Sequence, residues 1–302
     1  MIEYRFTIEE ENAGERVDKA LSLLITDKSR SYLQKQIKDG NVLVNGQNVK
    51  PATELNLDDE LLCSLPDPIS LEIRAEDIPL DIVYEDDDVI IVNKPKNMVV
   101  HPAAGHYTHT LVNAIMFHCT NLSGINGVLR PGIVHRIDKD TTGLIVICKN
   151  DLAHNCIAAQ FKDHSGERCY HAICKGVLSD DEITINKPIG RHPKDRLKMA
   201  VNEKNGKTAV THVKVLKRLK NATYIECRLE TGRTHQIRVH MESIGHPLLG
   251  DNLYGDSKDK YQKFGQVLHA KTLGFVHPTQ NTFVAFDSEI PEYFKEILNS
   301  LS

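Results

Sequence analysis

Residues 131–144 read Pro131-Gly132-Ile133-Val134-His135-Arg136-Ile137-Asp138-Lys139-Asp140-Thr141-Thr142-Gly143-Leu144, and the chain stays apolar from there to Cys148. Apolar segments at 133–134 and 144–147 bracket a densely polar turn. The spacing predicts one strand running into the turn and another leaving it, with Asp138 presented at the rim of a sheet. An aspartate so placed has three chemical uses: nucleophile, general base or metal ligand. Its neighbours His135, Arg136 and Lys139 argue against a cation site, because positive groups compete with a metal while favouring a carboxylate and nearby phosphates. A surface turn carrying a salt bridge is the plain alternative.

Two further segments concentrate polar chemistry. Leu229-Glu230-Thr231-Gly232-Arg233-Thr234-His235-Gln236-Ile237-Arg238-Val239-His240 holds two arginines, two histidines and a glutamine. A glutamine amide can read a base edge, and arginines clamp carboxylates or phosphates. As a strand, this segment puts Gln236, Arg238 and His240 on one face; as a helix approached through Gly232, it puts Ile237 and Met241 together. Both settings remain open at this level. In Arg168-Cys169-Tyr170-His171-Ala172-Ile173-Cys174-Lys175-Gly176, alternation places Tyr170, Ala172 and Cys174 on one side. Tyr170 is then a core aromatic, or a phenol that stacks on a base or exchanges a proton.

Outward from these motifs, strands are expected at 80–84, 89–93, 98–100, 170–175, 208–216, 223–229 and 281–286. Helices are expected at 110–117, with Leu111, Ala114 and Ile115 buried, and at 151–161, with Leu152, Cys156, Ala159 and Ala153 covering a sheet. Strands outnumber long helices and no strand-helix unit repeats, which favours α+β with a mixed or mainly antiparallel sheet. At the N-terminus, Val17, Ala20, Leu21 and Leu24 recur at helical spacing. Ser29 can cap a second helix carrying Tyr32, Leu33, Gln36 and Ile37, which Gly40 stops. Val42, Val44, Asn45-Gly46 and Val49 read as a tight hairpin. The expected organisation is a small domain at 1–65, a linker at 66–78 opened by Pro66 and Pro68, and a large domain at 79–302.

The 302 residues carry 37 Lys plus Arg against 41 Asp plus Glu, a formal charge of -4, but the charge is segregated. Residues 1–90 hold 9 basic and 21 acidic side chains; the remainder holds 28 and 20. The densest basic stretch, 187–220, has 11 Lys or Arg against Asp195 and Glu203, enough to concentrate a polyanion over one face. Glu3 and Glu9–Glu11 stand where a signal peptide would be basic and then apolar, and no apolar run approaches membrane-spanning length, so a cytoplasmic location is expected. Seven scattered cysteines without a C-x-x-C pair argue against a disulfide framework or zinc ribbon.

Taken together, these motifs resemble the pseudouridine synthases of the RluA type, and more closely the multi-site synthases that modify large ribosomal RNA. The carriers are His135-Arg136-Ile137-Asp138 with the trailing Lys139-Asp140-Thr141-Thr142-Gly143-Leu144, similar to the family's HRLD signature. The opening domain is similar to the ribosomal-protein-type RNA-binding module, with R-x-D-K near Arg16, S-R-S near Ser29 and V-N-G at 44–46. The resemblance implies the pseudouridine synthase fold and roles residue by residue. Asp138 is the catalytic aspartate, Tyr170 stacks on the target uracil and helps remove the C5 proton, and Arg238 pairs with the carboxylate. Leu268 packs under the base, and Arg136 enters the RNA helix as the nucleotide leaves. Arg233, Gln236 and His101 are expected along the substrate groove. Arg16, Lys28, Arg30, Lys35 and Lys38 of the small domain, and Arg191 and Lys194 of the basic stretch, are expected RNA contacts. Three departures from the family pattern, Ile137 for leucine, Arg168 for lysine and Asp58-Asp59-Glu60 where a Gly-Asp turn is common, remove no catalytic group.

The implied reaction needs no cofactor or metal, and the implied partner is ribosomal RNA, in particular a large-subunit stem-loop, with no membrane and no obligate protein partner. Two rivals are a catalytically silent RNA-binding protein of the same fold and a carboxylate-dependent nucleoside hydrolase. Zinc binding by His101, His106, His109, His118 and Cys119 is a third, but their spacing matches no familiar structural site.

Overall fold

A computed structural model describes residues 2–26, 28, 30–65, 73–102, 107–119, 122–124 and 131–302. Ser29, with its expected cap, the prolines at 66 and 68, and His106 fall outside them. The chain divides into two compact units, residues 1–71 and 72–302.

In the small unit, strand β1 (Ile2–Thr7) leads into helices α1 (Val17–Leu24) and α2 (Arg30–Lys38), followed by β2 (Val42–Val44), β3 (Gln47–Asn48) and β4 (Glu60–Leu65). The sheet order is β1-β4-β2-β3, all antiparallel. The Asn45-Gly46 turn joining β2 to β3 has positive φ at both residues, as a two-residue hairpin of this twist requires. Val17, Ala20, Leu21, Leu33 and Ile37 close onto Val42, Leu61 and Cys63, so the expected helical stripes form this unit's core.

The large unit is built on one sheet of nine strands: β5 (Ile82–Glu85), β6 (Val89–Lys94), β7 (Thr142–Cys148), β8 (Glu167–Lys175), β9 (Glu182–Asn186), then β12 (Val210–Leu219), β13 (Ala222–Leu229), β14 (Leu268–Val276) and β15 (Phe283–Asp287). A separate hairpin of β10 (Ile189–Arg191) and β11 (Met199–Val201) intervenes. The path across the sheet is β5-β6-β7-β14-β8-β13-β12-β9, with β15 on β14; only β7 and β14 run parallel. Helices α3 (Leu111–His118), α4 (Asp151–Lys162), α5 (Gln236–Ser243) and α6 (Glu292–Leu301) complete it. The architecture is α+β with a mixed, mainly antiparallel sheet. No helix among the described residues is long and apolar enough to cross a membrane.

Several local expectations change. The segment entering the central turn is not a strand; Ile133 makes a single bridge to Ile147 and the rest is coil. Residues 98–100 are also coil, although their carbonyls receive the first amides of α3. In α4 the larger side chains Ile157 and Phe161 take the sheet side, which carries Ala153 inward and turns Leu152 and Ala159 out. Strand β14, central to the sheet, was not anticipated because His269, Lys271, Thr272 and Gly274 break its apolar pattern. His269 sits inside all the same, its ring nitrogens bonded to the hydroxyls of Thr142 and Ser288.

Candidate active site

The turn bearing Asp138 is clamped from both ends. Gly143 has φ +105°, and a Cβ there would stand 2.2 Å from the carbonyl oxygen of Ala270. Glycine therefore lets β7 meet β14 in parallel register directly behind the turn. On the other side, Lys94 is fully buried and its Nζ donates to the carbonyls of Pro95, Met98 and Lys139, at 2.8, 2.9 and 3.1 Å. Burial drives the Lys94 pKa down to about 7, against the pull of Asp140 and Asp138. Gln266 donates to Thr141, and the Thr141 amide closes the turn onto the Asp138 carbonyl.

Residues 236–243 are helical, which settles the open setting of that segment. Gln236 to Met241 are all buried, the polar Gln236, Arg238 and His240 included, so polarity along the segment does not reveal a helical period. His235 precedes it in the left-handed region at φ 58°. One helical turn carries Arg238 to Asp138, where Nη1 donates to the carboxylate at 2.9 Å. The same guanidinium gives Nε and Nη2 to Asp251 at 2.6 and 2.8 Å. Asp251 is itself fixed by the amides of Leu253 and Tyr254. Burial would push the Asp251 carboxyl up, but Arg238 and those amides hold it below the usual carboxylate range. The Tyr254 ring lies under the guanidinium, 5.0 Å from its carbon, and the Tyr254 hydroxyl meets Nδ1 of His235 at 2.9 Å. His235 Nε2 is 3.8 Å from the other Asp138 oxygen; burial keeps that imidazole below its ordinary pKa. Asp251, Tyr254, His235 and Lys94 were not singled out from sequence. Only His235 stood within a motif, and Asp251 carries no local signal beyond following a glycine.

A cleft of about 500 Å³ opens in front of Asp138. Tyr170 and Leu268, on neighbouring strands β8 and β14, form apolar parts of its lining, and Arg136, Arg168, Arg233, His235, Gln236 and Arg238 contribute polar groups. Burial pushes the Tyr170 phenol above its ordinary pKa, so it is neutral near pH 7. The structure thus brings Asp138, Tyr170, Arg238, Leu268, Arg136 and Arg233 to one opening. Arg136 is exposed at the mouth of the turn.

Other expected residues are placed differently. Gln236 lines the cleft, but its amide is committed: the oxygen accepts from Thr231 and from the Arg233 amide, and the nitrogen donates to Val210 and Thr211. It anchors α5 to β12 and has no free edge with which to read a base. His240 does similar work, bonded to Thr211 and to the Lys187 carbonyl. His101 is buried and is not among the cleft's lining residues. Arg16 and Arg30 both pair with the buried Asp18, while keeping roughly half their side chains in solvent. Lys35 and Lys38 are exposed on α2. Arg191 and Lys194 are exposed at the end of the β10–β11 hairpin, outside the cleft lining. Of the histidines weighed for zinc, His118 is bonded to Glu85.

A cleft walled partly by Tyr170 and Leu268 and partly by arginines, beside a carboxylate gripped by a guanidinium, suits a flat, neutral ring carried on an anionic chain. Residues 88–243 match the family described as RNA pseudouridylate synthase, and residues 15–61 match the S4 domain. The chain is 51% identical to an uncharacterized RNA pseudouridine synthase of Bacillus subtilis, over 98% of this chain and 97% of that protein. It is 50% identical to ribosomal large subunit pseudouridine synthase D of Zymomonas mobilis, over 95% and 93%. Among solved structures, human RNA pseudouridylate synthase domain containing 1 aligns with TM-score 0.58 and 25% identity, covering 74% of this chain and 86% of that one. The chain belongs to the RNA pseudouridylate synthase family: it is an RNA pseudouridine synthase, an isomerase, with an S4 domain at its N-terminus.

Proposed function

We propose that the enzyme isomerises uridines in structured large-subunit ribosomal RNA, in a stem-loop, with Asp138 as its catalytic carboxylate. The observation that carries this reading is the Asp138–Arg238 pair at 2.9 Å, opening on a cleft that Tyr170 and Leu268 also line. The names of the Zymomonas relative and of a 41% identical Pseudomonas aeruginosa relative, both ribosomal large subunit pseudouridine synthase D, support the choice of RNA.

The uridine leaves its stack and enters the cleft, with Arg136 taking up the vacated position. Uracil lies between the Tyr170 ring and Leu268, apolar surfaces that hold the base without fixing one edge, so it can turn after the N1–C1′ bond breaks. Asp138 faces C1′, where positive character develops, and Arg238 fixes which oxygen points there. The electron pair of the broken bond stays on the base, and N1 is protonated in exchange for the C5 proton, which leaves once C5 has joined C1′. A neutral Tyr170 phenol is a poor acceptor for that proton, which favours a packing role for the ring and leaves the proton to the Asp138 carboxylate. The exposed Lys35 and Lys38 on α2, with Arg191 and Lys194 on the hairpin, supply phosphate contacts that set orientation without reading sequence.

Asp138→Asn tests this assignment. RNA affinity is expected to persist while pseudouridine formation is suppressed, because phosphate contacts remain and carboxylate chemistry is lost. Undiminished conversion by the folded variant would remove Asp138 from the mechanism. Mapping pseudouridines in ribosomal RNA before and after gene deletion tests the target.

A further inference from the structure

Among the described residues, Arg168 is a buried cation of the cleft for which no carboxylate partner is seen. It stands on β8 two residues before Tyr170, so strand alternation sends both side chains to the same face, and both line the cleft. Arg168 is only 8% exposed, and its Nε and Nη2 have no hydrogen-bond partner among the described residues. The guanidinium lies over the Phe161 ring, 5.1 Å from its centroid. On another side is Gly232, where a Cβ would stand 2.8 Å from Nη1. An aromatic ring and a bare backbone therefore shape a slot around the group. The carboxylates nearest in the sequence and in the cleft are engaged elsewhere, Glu167 with Arg228 and Asp138 with Arg238. His135, edge-on to the same Phe161, accepts the Val146 amide and is held neutral by burial and by the Arg168 charge.

A buried guanidinium with two idle donors is costly, and its retention calls for an anion that arrives with the substrate. RNA brings its anions as phosphodiesters, whereas the uracil is neutral. Both nitrogens are closed to solvent, so the guanidinium must turn off the Phe161 ring to present its Nε–Nη2 edge, the side-on fork that matches two non-bridging phosphate oxygens. We propose that Arg168 forms a buried phosphate subsite that binds a phosphodiester flanking the target uridine. The inference rests on the reading that an RNA nucleotide enters this cleft. Gripping that linkage while Tyr170 holds the base fixes the sugar between them, which is where Asp138 must act.

The test uses the full-length enzyme and a stem-loop transcript of large-subunit ribosomal RNA containing a uridine that the wild-type enzyme converts. In two further versions, the linkage 5′ or 3′ of that uridine is a neutral methylphosphonate. For Arg168→Gln, affinity is expected to fall about tenfold to a hundredfold. The slope of log affinity against log salt should become shallower by about one contact's share. One of the two neutral linkages should impose the same loss on the wild-type enzyme and no further loss on Arg168→Gln. Arg168→Lys should keep the wild-type slope with only part of the affinity, since it retains the charge without the fork. A folded Arg168→Gln with wild-type affinity and slope overturns the subsite. Should that variant fail to fold, the wild-type enzyme's indifference to both neutral linkages overturns it equally. Failure to convert any ribosomal uridine would instead sink the broader reading, so the two failures are told apart.

Discussion

Replacing Asp251 by asparagine separates the holding of Arg238 from the chemistry proposed for Asp138. Arg238 makes three bonds to carboxylates, two to Asp251 and one to Asp138, and is only 5% exposed. The amide keeps an oxygen for the Leu253 and Tyr254 amides, but it removes a charge and faces Nε or Nη2 with an N–H of its own. Breaking a buried pair by neutralising one partner costs about 3–5 kcal/mol, with the lower end expected here because the Asp138 bond survives. A domain of ordinary stability, about 5–15 kcal/mol, tolerates that loss. The guanidinium, no longer gripped side-on, can turn both idle donors toward Asp138 and pull the carboxylate from its station. A displacement of about 1 Å costs about a hundredfold in rate. Three readouts serve: urea unfolding, RNA affinity and single-turnover pseudouridine formation. The expected pattern is a stability loss near 3 kcal/mol, unchanged affinity and a rate lowered about a hundredfold. A folded Asp251→Asn enzyme with the wild-type single-turnover rate would refute the view that Asp251 orients Arg238.

Two other outcomes follow from the clamp behind the turn. Gly143→Ala should destabilise the large unit by about 2 kcal/mol or more, since its Cβ meets the Ala270 backbone at positive φ, and lower the melting midpoint by about 5 °C. Gly124→Ala, whose Cβ meets nothing within 4 Å, is the control that should not shift it. His269, buried between Thr142 and Ser288, has its pKa lowered to about 4 by burial and then by Lys271. Between that value and the unfolded value near 6.5, the unfolded chain binds the proton and the folded one does not. Stability therefore falls as pH drops through this window, by about 2 kcal/mol from pH 7 to pH 5 for this group. Urea midpoints across that range should fall less steeply in His269→Gln; equal steepness would remove His269 as the source.

What could be read directly from the chain was contiguous. The 135–144 signature, the Asn45-Gly46 turn, the helical stripes of the small unit and the alternation of Tyr170, Ala172 and Cys174 are each encoded within a few neighbouring residues. Periodicity and turn chemistry act over that range. The sequence also contained Asp138, Tyr170 and Arg238, but their roles came through resemblance, because the Asp138–Arg238 contact spans 100 positions. Only the folded chain decided that residues 236–243 form a helix, since Gln236, Arg238 and His240 are buried along with the apolar residues between them and leave no amphipathic period. The same holds for β14, whose buried His269 is satisfied by hydroxyls from two separate strands or their ends. It holds again for Gln236, which could have faced RNA and instead ties α5 to β12, and for Asp251, whose partner lies 13 residues earlier on another element. Polar residues have no fixed side of a fold. Whether each is a ligand, a strut or an idle donor depends on which distant groups the tertiary structure brings within hydrogen-bond reach.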